Sequence, residues 1–563
     1  MSLTKSQKYF WIIIAVYFAA WFPLLINYDG LYWDDWTIFN QGRDELLADT
    51  EARGRVISFY LHSFLQSIGN GILSFRLLTF FSYLAISLSI YYLAKPKKIC
   101  GELIAFYLAL LVATFPVNTA RISTVCVDYG FTVALFFLAF LIVVHKRRYL
   151  KYRALSLLLF FISFTTESLL VFYFFPMVYL FFISEGNYIK DQKIILILNQ
   201  LKIFIIKNVD FMMLPFVFFL IKSIYFTPYG THENYNSINI PWQTIPFFIS
   251  ILGIIYFAFF LIKDKGLALK KDILLIAMGF ILFLLALFPY YAAGRLPWIH
   301  SIHNGWPVIL STIVAFIILL NTNIYLVIFK IKDKNYSLKT VLIYLTIVSI
   351  LFLAAVLPNY VAYKFEWESR HLELIPYGLS IIFIYSINNF FKKNVVHFVL
   401  SSCIVLFVLF HLNHLKDFQI DSFKQDAIMV QIKTIDEVKN SKNKIILFND
   451  ETLNYNALGR SYRIYEWSGM LKKVYGDTTR FGMTENYFKG LLLNISHLPK
   501  QYNFYDYKGD KKTVAGTLHI KKTNHLFTFR AIIELLYLKI FKRNQYEMKV
   551  INYINVSYIS LKS

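Results

Sequence analysis

Apolar runs of about 17–25 residues, the length that crosses a ~30 Å hydrocarbon core, recur through most of this chain. They fall near residues 9-27, 71-93, 100-115, 128-144, 154-165, 169-184, 209-226, 244-262, 273-289, 308-329, 341-358, 374-390 and 395-413. Each predicts a membrane-spanning helix, about thirteen in all. Beyond residue 413 the long runs stop. Residues 444-449 and 514-520 read as strands, and 527-541 as a helix amphipathic enough to lie on a bilayer surface or to serve as an ordinary domain helix. The expected fold is therefore an all-α polytopic membrane domain, residues 1-413, followed by a small extracytoplasmic α/β domain, residues 414-563.

The polar stretches between the runs set the orientation. Lys5 and Lys8 precede the first run, and no small-residue cleavage pattern follows it, which reads as an uncleaved anchor helix. Every second connection is basic: Lys95, Lys97 and Lys98; Lys146, Arg147, Arg148, Lys151 and Arg153; Lys190 and Lys193; Lys263, Lys265, Lys270 and Lys271; Lys330, Lys332, Lys334 and Lys339; Lys392 and Lys393. The connection 227-243 has no Lys or Arg. Basic loops stay cytoplasmic, so this parity predicts a cytoplasmic N-terminus in a bacterial inner membrane. It places 28-70, 116-127, 227-243, 290-307, 358-373 and the tail 414-563 on the external face. The run 154-184 is too long for one span and short for two. With Thr165, Thr166, Glu167 and Ser168 at its centre, it predicts two short helices or a re-entrant turn.

Composition agrees with this pattern. The 563 residues are 57% hydrophobic and only 16% charged, outside the range of soluble globular domains. The net charge of +23 is accounted for by lysines at helix ends, so no nucleic-acid partner is expected. Cys100, Cys126 and Cys403 lie in or beside apolar runs and none follows 413, which leaves no thiolate metal site or disulfide framework in the tail.

The external segments hold the candidate chemistry. The first has Asp29, Asp34, Asp35, Arg43 and Arg55; the fifth has Arg295, His300 and His303; the sixth has Lys364, Glu368, Arg370 and His371. Glu167 joins them if the hairpin forms, because an acid at membrane depth faces a cavity. Carboxylates opposite cations suit one reaction in particular. An acid deprotonates a hydroxyl while cations stabilise a departing phosphate, as in glycosyl transfer from a lipid phosphate. His300 and His303 have no third ligand nearby and read as interfacial residues, so neither metal nor cofactor is expected.

Trp33-Asp34-Asp35-Trp36 just after helix one, followed by Gly42-Arg43 and Arg53-Gly54-Arg55, resembles the GT-C superfamily of polytopic, polyprenyl-phosphate-dependent glycosyltransferases. The likeness is closest to bacterial members that decorate surface polysaccharides, including the serotype-converting glucosyltransferases. It implies a polyprenyl-phosphate-linked sugar donor, a glycan or lipid-linked acceptor, and a catalytic base at Asp34 or Asp35. A polysaccharide polymerase or ligase, or a lipid-linked glycan transporter or flippase, are the competing readings. A flippase should carry charges within its spans and a repeated, broken helix pair, and neither is evident.

Overall fold

The computed structural model describes residues 4-39, 41-69, 71-96, 101-116, 119-185, 194-229, 373-390, 393-493 and 513-560, and helices and strands are numbered over these. The runs expected at 244-262, 273-289, 308-329 and 341-358 lie outside the described residues, as do Arg295, His300, His303, Lys364, Glu368, Arg370 and His371.

The chain begins with α1 (Lys5–Ile26), closed at its start by a Thr4/Gln7 capping box. The first loop then folds into α2 (Asp35–Ile38), α3 (Arg43–Ala52) and α4 (Val56–Gln66). Next come α5 (Ile72–Ala94), α6 (Glu102–Thr114), α7 (Val127–Lys146), α8 (Leu150–Ser163), α9 (Ser168–Phe172), α10 (Phe174–Glu185), α11 (Ile194–Lys207) and α12 (Val209–Tyr225). The 154-184 run does break at Phe164–Glu167 into two short arms. After the undescribed segment follow α13 (Ile375–Phe390) and α14 (Lys393–Ile432).

Nine of the thirteen expected runs fall on described residues, and not all nine form spans. Among the described residues four helices are long and apolar enough to cross a membrane: Lys5–Ile26, Ile72–Ala94, Thr124–Lys146 and Asn394–Ile432. A fifth is possible if the pair Asn199–Lys207 and Val209–Tyr225, bent by 64°, acts as one span. The physical reason is length. At 1.5 Å per residue the 13 residues of α6 reach only about 20 Å, and the hairpin arms are similar.

Helices α1, α5, α6, α7 and α14 share one apolar core, including Tyr17, Trp21, Phe80, Phe136 and Leu400. The polar tips of its aromatics are satisfied inside it, Tyr17 donating to Phe80 O at 2.6 Å and Trp21 to Ala113 O at 2.9 Å. One end of this bundle is basic: Lys95 donates to Ser6 at 2.5 Å and stands 3.9 Å from Glu102. The first loop lies at the other end.

Helix α14 is 40 residues long and runs without a break through residue 413 into the C-terminal part. Beyond it lie α15 (Asp436–Lys439), β1 (Ile445–Asp450), α16 (Ile464–Tyr475), β2 (Phe481–Thr484), α17 (Glu485–Leu493), β3 (Val514–Lys522), α18 (Phe529–Phe541), α19 (Arg543–Val550) and β4 (Ile554–Ser560). The sheet order is β2-β1-β3-β4, parallel except for the antiparallel β3–β4 pair. Its core contains Phe423, Ile446, Trp467 and Leu535, and also Leu31 and Trp36 of the first loop. The first loop is thus built into the hydrophobic core of the C-terminal domain.

Candidate functional site

The turn that carries the acid pair is held in an unusual shape. Gly30 allows a close approach: a Cβ there would lie 2.2 Å from Asn27 Oδ1 and 2.5 Å from the Tyr32 hydroxyl. Trp33 adopts φ +51°, rare for a bulky residue, and is held between Phe418 and the Arg460 guanidinium, each 5.4 Å from its ring. Consecutive residues then face different surroundings.

Asp35 is fully buried. Its Oδ2 accepts from Tyr32 N at 3.1 Å, and its Oδ1 from Ser123 Oγ at 2.5 Å and Val125 N at 3.0 Å. Burial pushes its pKa above the ordinary value, with Arg76, Ser123 and the Val125 and Thr124 amides opposing the rise. Arg76 donates to Gly30 O at 2.9 Å, tying α5 to the same turn. With both carboxylate oxygens occupied and no path to solvent, Asp35 fastens the first loop to the 119-126 turn.

Asp34 is half-buried. Its carboxylate accepts from the Tyr465 hydroxyl of α16. Burial, and then Asp34 itself, push the Tyr465 phenol above its usual range, so it keeps its proton for that bond. Asp34 is therefore the member of the pair that retains an open side.

Asp29 points elsewhere. Its Oδ1 lies 2.6 Å from Lys539 Nζ, which also meets Asp426 at 2.8 Å; Tyr546 donates to the same Asp426 carboxylate at 2.6 Å. Burial alone would lower the Lys539 pKa, but Asp426 and Asp29 outweigh it and hold the ammonium charged. Arg543 stands 3.7 Å from the other Asp29 oxygen. Asp29 is thus committed to the joint between the first loop and the C-terminal domain.

A second polar group forms where α4 crosses the ends of α7 and the hairpin. His62 Nε2 is 3.2 Å from Asp128 Oδ1, and the Ser58 hydroxyl bonds the same carboxylate. Arg55 NH1 donates to the Tyr129 hydroxyl at 3.4 Å and feels the charges of Glu167 and Asp128. Glu167 pairs with Lys222 of α12, and Thr166 meets Thr132 at 2.7 Å. Two of the sequence candidates, Arg55 and Glu167, are thereby brought together. Arg43 is not: its guanidinium lies over Phe59, 6.0 Å from the ring. Ile38, Leu46 and Phe59 of the first loop form a small apolar group, with Val125 packed against it.

A third charged centre lies deeper in the bundle. Arg121 is clamped between Trp21 and Tyr83, at 4.2 and 4.1 Å from their rings, and the Tyr83 hydroxyl donates to Glu373 at 2.5 Å.

Sequence reasoning missed Asp128, His62, Lys222 and Tyr465. Asp128 opens an apolar run and Lys222 and Arg76 sit inside two others, so the rule that brought out Glu167 applied to them. The expectation of spans without charges or a broken helix pair is corrected by these residues and by the 64° bend between Asn199–Lys207 and Val209–Tyr225. His62 and Tyr465 become visible only through tertiary contacts. Among the described residues no group of three or more His, Cys, Asp or Glu side chains is arranged to hold a metal ion. No known family model matches this chain, and no curated protein matches its sequence.

Proposed function

We propose that this chain is a membrane glycosyltransferase of GT-C type that moves a sugar from a polyprenyl-phosphate donor to a glycan or lipid-linked acceptor at the external face of the bacterial inner membrane. The observation that supports the reading is that the end of the bundle opposite Lys5 and Lys95 carries two charged groups, Asp34 in the first-loop turn against Tyr465, and the cluster of Arg55, His62, Asp128, Glu167 and Lys222.

Bilayer embedding is supported by the outward faces of the helices. Helix α1 exposes Trp11, Ile12, Phe18 and Phe22, and α4 exposes Ile57, Tyr60 and Phe64 along one side while turning Phe59, His62 and Leu65 inward. Helices clad this way in water would be an aggregation hazard; in lipid they are at home. The basic end then reads as cytoplasmic, which puts the acid-bearing end and the C-terminal domain outside.

In this mechanism Asp34 takes the proton of the acceptor hydroxyl as the oxygen attacks the anomeric carbon. The bond to the donor phosphate breaks, and Arg55 and Lys222 neutralise the charge left on the lipid phosphate. Asp35 positions the turn and does not react. The test is twofold. Deletion of the gene should remove one surface-glycan substituent and cause a polyprenyl-phosphate sugar to accumulate with that sugar facing outward. Purified protein should transfer the sugar from that lipid to the acceptor. Accumulation on the cytoplasmic side only, with no transfer by the purified protein, would instead identify a flippase.

A further inference from the structure

Helix α18 presents two unlike faces. Ala531, Ile532, Leu535, Leu538 and Lys539 are buried, whereas Phe529, Ile533, Tyr537 and Ile540 form an exposed stripe at helical spacing. Phe529 is 75% exposed and Tyr537 51%, and the stripe is extended by Leu526 before the helix and by Phe541 at its end. Such a continuous apolar strip on a polar domain marks an interaction surface.

Its position identifies the partner. Phe527, two residues before the helix, packs on Phe423 of α14, with ring centroids 6.2 Å apart. At the other end Lys539 reaches Ser422 at 3.2 Å and Asp426 at 2.8 Å on the same helix. A 13-residue helix is about 20 Å long, yet both of its ends touch one short stretch of α14. Helix α18 therefore crosses α14 instead of running beside it. Its C-terminal end also meets the exit of α1: the Tyr28 hydroxyl bonds Lys539 O at 3.4 Å, and Lys539 holds Asp29. Residues 28 and 29 follow directly on an apolar helix whose outer face carries Phe18 and Phe22. Cations stand exposed at both ends of the stripe, Arg530 at one and Lys542 at the other.

We infer that α18 is a membrane-surface anchor: its stripe of Phe529, Ile533, Tyr537 and Ile540 lies in the outer leaflet beside the end of α1, with Arg530 and Lys542 at the level of anionic headgroups. This rests on the membrane reading above. A helix crossing a spanning helix where another span leaves the bilayer lies in the interface plane, where an apolar face with flanking cations is favoured. The anchor would hold the C-terminal domain, and through Lys539 and Tyr465 the acid turn, at a fixed height over the lipid that carries the donor.

The test is photochemical. Benzoylphenylalanine is placed singly at Phe18, Tyr537 or Glu534 in the full-length protein, in vesicles of phosphatidylethanolamine and phosphatidylglycerol, and irradiated adducts are read by mass spectrometry. The inference expects lipid adducts at Tyr537 in a yield within a few-fold of Phe18, and at least several-fold less at Glu534 on the flank. Lipid adducts at Phe18 with none at Tyr537 would overturn the anchor and leave the membrane reading standing. Protein adducts at Tyr537 would overturn it in favour of a second copy or a protein partner. Absence of lipid adducts at Phe18 would remove the membrane reading and the anchor together.

Discussion

The two halves of the first loop use ionisable residues in opposite ways. In residues 27-36 the charges are sunk into the joint with the C-terminal domain: Asp35 is fully buried, and Lys539, whose side chain is 2% exposed, is shared by Asp29 and Asp426. In residues 53-66 His62 is buried against Asp128, but Arg55 on Tyr129 is only half-buried and the adjacent Glu167–Lys222 pair is partly exposed. Buried groups whose bonding capacity is filled by protein cannot exchange partners without a large desolvation cost, whereas half-exposed ones can give up a partner to a substrate. The difference separates residues that hold the loop from residues able to act, and Asp34 is the exception within the buried half.

The comparison breaks most visibly at Lys539. Lys539→Ala leaves Asp29 and Asp426 facing a buried void, and a buried pair that loses one partner costs about 3–5 kcal/mol. Thermal unfolding in detergent should show that loss. A change within about 0.5 kcal/mol would mean the joint is not closed.

In the open half the effect should fall on rate. Arg55→Ala is expected to lower transfer about 10²-fold, the scale of losing one donor to a developing anion, with unfolding changed by no more than about 1 kcal/mol. A matching loss of stability would move Arg55 into the structural class.

Asp35→Asn should be smaller again. An amide must turn one NH₂ toward a backbone donor, at a cost of about 1–3 kcal/mol. The pH dependence sharpens this. Because the folded pKa is raised, the folded state binds a proton more readily than the unfolded chain, so stability is highest below the ordinary Asp value and falls as pH rises through the raised one. Unfolding midpoints measured across the acidic range should contain that downward step, and Asp35→Asn should remove it. The smallest effect is expected at Glu167→Gln, about 0–1 kcal/mol for a pair whose acid is 46% exposed.

How much of this was readable in the chain depends on the range of the interaction. The uniform apolar runs located α1, α5 and α7 closely, because a helix that is apolar all round needs no partner to be recognised. Strands at 444-449 and 514-520 were visible from their β-branched content. Strand β2 is only Phe481–Thr484 and has no alternation to read. The change at residue 413 looked like a boundary because Lys416, Asp417 and Gln419 end the apolar run. The helix nevertheless continues, its buried side passing from Leu415 and Phe418 of the bundle core to Phe423 and Ile428 of the domain core. The division of labour between Asp34 and Asp35 could not be read, since it depends on Trp33 at positive φ and on Ser123 and Tyr465 arriving from far along the chain.

The most direct test of the account measures transfer and unfolding on the same preparations of Asp34→Asn and Asp35→Asn, with the lipid-linked donor and purified acceptor. For Asp34→Asn the account predicts a rate loss of about 10²–10⁴-fold, the range for losing a general base, with stability nearly unchanged. For Asp35→Asn it predicts a stability loss of about 1–3 kcal/mol and, in the fraction that remains folded, transfer within about ten-fold of the parent. Near-normal transfer by Asp34→Asn, or a collapse of transfer in stable Asp35→Asn, would contradict it.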